Sequence, residues 1–302
     1  DVSYGEYNHD VSKVGGLGDA GATYTGGLNS GFALGDNGGF LNLSLAYLKT
    51  GDSHTVGPWK DPSQPIWQIY AAPNDPREAT ANRNVPENYE VVPIQESTSF
   101  AYNLGVPLND NLELYSFATY SPRTSEAKGS FRSETNATAN VITTPGGYSS
   151  RLQTKEEDMQ VNLGIKAEDI LGWSWDAGLS YGQNRADINV LNTTNPSFGA
   201  LLPLQNMHAG DLKLPKSPPP LPPRRAFDTG LFVNPLNVTL GTEYRYDSLS
   251  LGSGEYYSYA GGGFRYPDDY PAVNLRGKLA GAGSAFLTGF SPQFEFDEAR
   301  HN

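Results

Sequence analysis

Six stretches of the chain alternate apolar with polar or small residues at a period of two. This is the pattern of strands in a sheet that is greasy on one face and wet on the other. Leu28, Phe32 and Leu34 oppose Asn29, Gly31 and Ala33, and Leu41, Leu43, Leu45 and Tyr47 oppose Asn42, Ser44 and Ala46. Phe100, Tyr102, Leu104, Val106 and Leu108 oppose Ser99, Ala101, Asn103 and Gly105, while Val161, Leu163 and Ile165 oppose Gln160, Asn162, Gly164 and Lys166. Trp173, Trp175, Ala177, Leu179 and Tyr181 oppose Ser174, Asp176, Gly178, Ser180 and Gly182. Leu236, Val238, Leu240, Tyr244 and Tyr246 oppose Asn237, Thr239, Gly241, Glu243 and Arg245. Asn111 to Ser121 also reads as a strand, with both faces mixed.

The connections alternate between very short and very long. Short ones lie at Gly35 to Gly39, Asn109 to Asn111, Glu168 to Gly172 and around Asn234 and Pro235; long ones cover 49–97, 122–158, 184–212 and 247–299. That rhythm predicts an all-β, antiparallel transmembrane β-barrel, with tight periplasmic turns on one side and long extracellular loops on the other. The aromatic residues agree. Trp173 and Trp175 follow a short turn, whereas Tyr47, Tyr120, Tyr181, Tyr244 and Tyr246 stand where strands run into long loops, as two membrane-interface girdles require. A soluble sandwich or solenoid is the competing all-β reading, but no repeat of fixed period supports the solenoid.

Several stretches resemble the TonB-dependent receptors of the bacterial outer membrane. Gly31-Phe-Ala-Leu-Gly-Asp36 with Gly39-Phe-Leu-Asn-Leu-Ser-Leu-Ala-Tyr47 is similar to the first barrel hairpin after the plug domain. Asp75-Pro-Arg-Glu-Ala-Thr80 looks like the family's first long loop, and Asn111-Leu-Glu-Leu-Tyr-Ser-Phe-Ala-Thr-Tyr120 like an ascending strand. Gly172-Trp-Ser-Trp-Asp176, Tyr181-Gly-Gln-Asn-Arg185 and Pro235-Leu-Asn-Val-Thr-Leu-Gly-Thr-Glu-Tyr244 extend the likeness across most of the chain. The resemblance implies a 22-stranded barrel around a plug, powered through a TonB box. The chain contains neither plug nor box, so it reads as the N-terminal half of the barrel domain, about eight strands over 1–302, with two open edges.

One segment departs from the family. Lys213-Leu-Pro-Lys-Ser-Pro-Pro-Pro-Leu-Pro-Pro-Arg-Arg225 stands where a descending strand is required, and its six prolines remove ladder donors. The run therefore predicts polyproline II and an interruption of the barrel at 213–225. Pro219 to Arg224 also satisfies the PxxP-plus-Arg pattern gripped by SH3 domains, a partner out of keeping with a bacterial surface. A frame error in the coding DNA is the alternative account of the run.

Composition narrows the functional classes. The chain holds 34 Gly and 18 Tyr in 302 residues with 18% charged residues, which favours β structure over helix. Acids outnumber Lys and Arg 33 to 21, for a net charge of −12, which argues against nucleic acid as a partner. The absence of cysteine removes thiol catalysis and Cys-based metal sites, and fits passage through an oxidising periplasm.

No motif points to an enzyme or a cofactor. Gly16-Leu-Gly-Asp-Ala-Gly21 matches GxGxxG, but Thr23-Tyr-Thr-Gly-Gly27 follows where a helix is needed. His9, His54, His208 and His301 lack metal-ligand spacing, and Glu156-Glu-Asp158 and Asp268-Asp269 read as solvated loop charge. The candidate ligand-binding residues are loop aromatics, Trp59, Trp67 and Tyr70 in the first long loop and Tyr256, Tyr257 and Tyr259 in the last. Flat rings offer apolar area at small entropic cost, which suits a siderophore, a corrinoid or a sugar. The expectation is thus part of an outer-membrane receptor for active uptake of a scarce nutrient. Its partners would be outer-membrane lipid, lipopolysaccharide, a small nutrient and, through a plug, the TonB complex. A passive pore or adhesin, or a soluble carbohydrate-binding or carbohydrate-active β protein, are the rivals.

Overall fold

A computed structural model describes residues 1–6, 21–51, 93–129, 147–216, 224–227, 236–241 and 244–301, together with residues 132, 136, 143 and 144. The chain forms one antiparallel sheet of β1 (Val2–Gly5), β2 (Thr23–Leu34), β3 (Gly39–Thr50), β4 (Ile94–Asn109), β5 (Leu112–Lys128), β6 (Arg151–Ile170), β7 (Trp173–Thr193), β8 (Gln205–Lys216), β9 (Arg224–Phe227), β10 (Leu236–Thr239), β11 (Tyr246–Ser253) and β12 (Phe296–His301). Neighbours in sequence are neighbours in space from β1 to β8, after which come β11 and β12. Among the described residues β1 and β12 each pair on one side alone, so the sheet is open.

The registers place the alternating residues as the sequence predicts. Leu28 faces Leu45, Leu45 faces Phe100, and Phe100 faces Tyr120. Tyr120 then faces Met159, and Leu163 faces Leu179. One side of these six strands is therefore apolar. The other side carries Asn29, Asn42, Asn103, Thr119, Asn162 and Ser180. On that polar side Tyr115, Gly164 and Gly178 share one row across β5, β6 and β7. The Tyr115 ring lies over Gly164, where a Cβ would run into it, and its hydroxyl reaches over Gly178. Glycine is required there by close approach, which is one reason for the chain's richness in that residue.

The two described ends of the proline-rich run lie in strands. Lys213 to Lys216 belong to β8, which pairs with β7 as far as Gly182↔Lys216, and Arg224 in β9 pairs with Ser174 lower on the same strand. Eight residues separate Ser174 from Gly182 and eight separate Lys216 from Arg224, so pairing resumes without slip. The next layer matches. Eleven residues separate Leu236 from Asp247 and eleven separate Lys216 from Phe227, so β10 on β9 and β11 on β8 keep a single register. The pairings of β8 and β9 with β7, and of β10 with β9 and β11 with β8, are thus in step. Pro215 is the last residue but one of β8 and pairs with Gln183; a strand tolerates a proline where its missing N–H is not needed by the ladder. The interior residues of the run, 217–223, lie outside the described residues.

Strands also extend well into segments predicted as loops. β5 runs on to Lys128, β6 starts at Arg151, β7 reaches Thr193 and β8 begins at Gln205. In β5 and β6 neither face of the extension is apolar, whereas in β7 Ala186, Ile188 and Val190 alternate with Asp187 and Asn189 and Val190 is buried opposite Met207. Polar cross-strand pairs hold the β5 and β6 extensions: Arg123 binds Glu156, Arg151 approaches Glu126 at 3.8 Å and Gln153 donates to Glu126 at 2.6 Å. Glu156-Glu-Asp158 accordingly lies within β6 and not in a loop.

Candidate functional site

Two surfaces stand out, a greasy belt on the sheet and an aromatic patch above it. The belt is unusual because so much of the sheet's apolar face is exposed. Leu28, Leu163 and Leu179 are 68%, 51% and 80% exposed, and Phe32, Leu45, Phe100, Val161 and Trp175 are exposed beside them. On the polar side Asn162 and Gly182 are buried, where neighbouring side chains crowd together. A soluble monomer rarely leaves a contiguous apolar patch of more than a few hundred Å² uncovered.

The aromatic residues expected at a membrane interface bracket this belt. Trp173 and Trp175 stand at the short-turn end, with Trp175 Nε1 donating to the Ile170 carbonyl at 3.1 Å. Tyr47, Tyr120 and Tyr181 stand at the other end, beyond which the same face becomes charged with Lys49, Glu96, Glu157, Arg185 and Asp187. Trp173 to Tyr181 is nine residues, the length a tilted transmembrane strand requires. Tyr244 and Tyr246 are both exposed, and Tyr246 opens β11 next to Asp247, which is level with Gly182 through Lys216. Tyr246 thus shares the height of Tyr181. It begins an ascending strand segment, where alternation placed it at the end of one.

Above the sheet the segment between β11 and β12 folds back as a cap. Its core is Tyr266, Tyr270, Ala272, Leu275 and Ala280, with Phe264 packed against them. Backbone bonds tie it down: Glu255 N–H donates to the His208 carbonyl, Phe290 N–H to that of Ala209, and Phe264 N–H to that of Ser197. Asn195 organises the contact. It is fully buried, donates from Nδ2 to the Tyr257 and Ala260 carbonyls at 2.8 Å each, and accepts from the Ser197 hydroxyl at 2.6 Å. Burial pushes the Tyr266 phenol up to about 12, with Tyr270 adding to the effect, and burial also raises Tyr148 against an opposing pull from Arg132.

The aromatic patch sits on this frame. Tyr256, Tyr257 and Tyr259 share the single-turn helix α1 (Tyr256–Tyr259), whose hub-bound carbonyls fix its orientation. Phe198, from the turn after β7, joins them with ring centroids 6.1 Å from Tyr256 and 5.1 Å from Tyr257; Tyr256 lies 6.0 Å from Tyr259. The planes meet edge to face, so the rings support one another and leave Tyr256 and Tyr257 exposed. Sequence reading missed Phe198, because nothing linear connects it to residues about sixty positions later. Trp59, Trp67 and Tyr70 lie outside the described residues, as do His9, His54 and most of the GxGxxG run. His208 is on β8, with Nδ1 3.3 Å from Asn189 Oδ1, and His301 ends β12. Among the described residues no three His, Cys, Asp or Glu side chains gather as metal ligands, and no helix is long and apolar enough to cross a membrane.

Compared with protein-family models, curated proteins and solved structures, the chain matches none.

Proposed function

We propose that this chain is part of the wall and outer loops of an outer-membrane nutrient receptor of the TonB-dependent kind, which supplies the transmembrane scaffold and a ligand-capturing patch without chemistry on the ligand. The observation that carries the reading is the exposed apolar face of the sheet, which lies opposite a largely polar one. A lipid bilayer covers the apolar face at no desolvation cost, and antiparallel pairing satisfies the backbone within the hydrocarbon. The tight turns then lie on the periplasmic side, and the long β5 to β8 extensions with their cap lie outside the cell. The patch of Phe198, Tyr256, Tyr257 and Tyr259 is the capture surface, offering ring faces to a siderophore, a corrinoid or a sugar.

A strain lacking the gene, grown in turn on limiting ferric siderophore, cobalamin or oligosaccharide, tests this reading. Loss of uptake of one class, with the parent's uptake abolished by collapsing the proton gradient, supports an energised receptor. Uptake that persists without the gradient indicates a passive pore, and a protein that stays in solution without detergent contradicts both.

A further inference from the structure

Asn37-Gly38 is the chain's one asparagine–glycine pair, and it stands in the turn between β2 and β3. Gly35, Asp36, Asn37 and Gly38 are all exposed, and the two glycines have φ of 68° and 82°. Only glycine adopts such values without strain. A Cβ at either glycine would have no atom within 4 Å, so the turn projects clear of the sheet, whose ladder closes below it at Leu34↔Gly39. Among the described residues neither the Asn37 carboxamide nor the Gly38 N–H has a hydrogen-bond partner.

An asparagine carboxamide carbon can be attacked by the backbone nitrogen of the following residue. A side chain on that residue hinders the approach, and a backbone held in a ladder cannot bend to make it. Neither obstacle exists at Gly38. Other asparagines of the same sheet differ. Asn29-Ser30 lies inside the ladder, where Asn29 pairs with Ser44 and Ser30 with Leu43. Asn109-Asp110 stands at the turn between β4 and β5, but there Asn109 Oδ1 accepts from the Asn111 N–H at 2.9 Å, which engages the carboxamide.

We propose that Asn37 is a site of spontaneous covalent modification, for which the chain itself supplies the nucleophile. Solvent base removes the Gly38 amide proton, and the nitrogen attacks Asn37 Cγ. The Cγ–Nδ2 bond breaks, ammonia leaves with a proton taken from water, and a succinimide closes. Water then opens the ring. Opening at Cγ gives aspartate in an ordinary chain, whereas opening at the main-chain carbonyl gives isoaspartate, with one more methylene in the backbone. No oxidant or cofactor enters, and nothing in the step requires a membrane. Either product adds a carboxylate beside Asp36. The isoaspartate also lengthens a connection whose far end, Gly39, is buried against the Leu34 and Gly105 carbonyls. The Leu34↔Gly39 pair therefore loosens, and the hairpin end carries a lasting mark of the molecule's age.

The test incubates the whole chain, folded in detergent and unfolded in urea, in the same mildly alkaline buffer. Conversion at each asparagine is followed by peptide mapping, and isoaspartate is scored by enzymatic methylation. Asn37 is expected to convert in the folded chain within about threefold of its rate in the unfolded one, while folding slows Asn29 and Asn109 by about tenfold or more. Isoaspartate should outweigh aspartate at position 37, as ring opening requires. The Asn37→Gln variant, whose ring would be larger and slower to close, should lose the reaction at that position and keep the protection at Asn29 and Asn109. Slowing of Asn37 by folding beyond about threefold overturns the proposal, because the turn then shields the pair as the ladder would. Equal rates at all three asparagines in the folded chain overturn it as well. Aspartate alone at position 37 shows direct hydrolysis without the ring, and also overturns it.

Discussion

The Tyr115 hydroxyl donates to Asp176 Oδ1 at 2.7 Å, reaching from β5 across β6 to β7. The bond exists because Gly164 and Gly178 leave the intervening row empty, and Lys166 Nζ closes over the ring at 4.8 Å from its centroid. Gly164→Val therefore should displace the ring and cost about 1–3 kcal/mol through overpacking. Tyr115→Phe keeps the ring and loses one charge-assisted bond, costing roughly 1–2 kcal/mol. Urea unfolding of the detergent-solubilised protein measures both. A Val variant as stable as the parent would mean that the ring does not sit on that row.

The belt makes a depth-dependent prediction. Leu179→Arg places a charge in mid-belt and should cost about 2–4 kcal/mol of folding into lipid. Thr119→Arg, exposed on the polar face, should be nearly neutral. Folding into phosphatidylcholine vesicles from urea reads the difference, and equal effects of the two changes would contradict a lipid-facing side.

Asn195 couples the turn after β7 to the aromatic helix. Asn195→Ala leaves the Tyr257 and Ala260 carbonyls without their donor, for an expected local loss of roughly 1–3 kcal/mol. Limited proteolysis should then cut between residues 254 and 264 faster, while the sheet stays resistant.

The cap should open in alkali. Tyr266 has a folded pKa raised to about 12 above the ordinary 10.0, because burial disfavours the phenolate. The neutral ring's contribution is present in full below about pH 10 and is lost as the pH rises through about 12. Tyrosinate absorbance should show one class of phenols titrating late and together with loss of near-ultraviolet dichroism, and Tyr266→Phe should remove that late component.

The sheet was legible wherever one of its faces is apolar. From Leu28 to Tyr181 the alternation marked the strands, the side each residue takes and the short turns, since burying a face in an apolar medium is what creates the period of two. It failed above the Tyr47–Tyr120–Tyr181 row. There Arg123 meets Glu156 and Arg151 meets Glu126, pairs as hydrophilic as any loop. It also failed at Pro215, because a proline reads as a break in sequence although a strand end accommodates it. At the candidate site, Tyr256, Tyr257 and Tyr259 were visible as a loop cluster, whereas Phe198 needed the cap's folding over Asn195 to bring it in.

Residue-by-residue depth probing of β7 tests the proposed lipid-facing wall most directly, and a chain without cysteine allows it cleanly. Single cysteines at each position from 175 to 182, spin-labelled in phosphatidylcholine vesicles, would be scored for collision with dissolved oxygen and with a water-soluble nickel chelate. The account predicts a strict alternation, with positions 175, 177, 179 and 181 favouring oxygen and positions 176, 178, 180 and 182 favouring the chelate or neither. Uniform access of the chelate to all eight would contradict it.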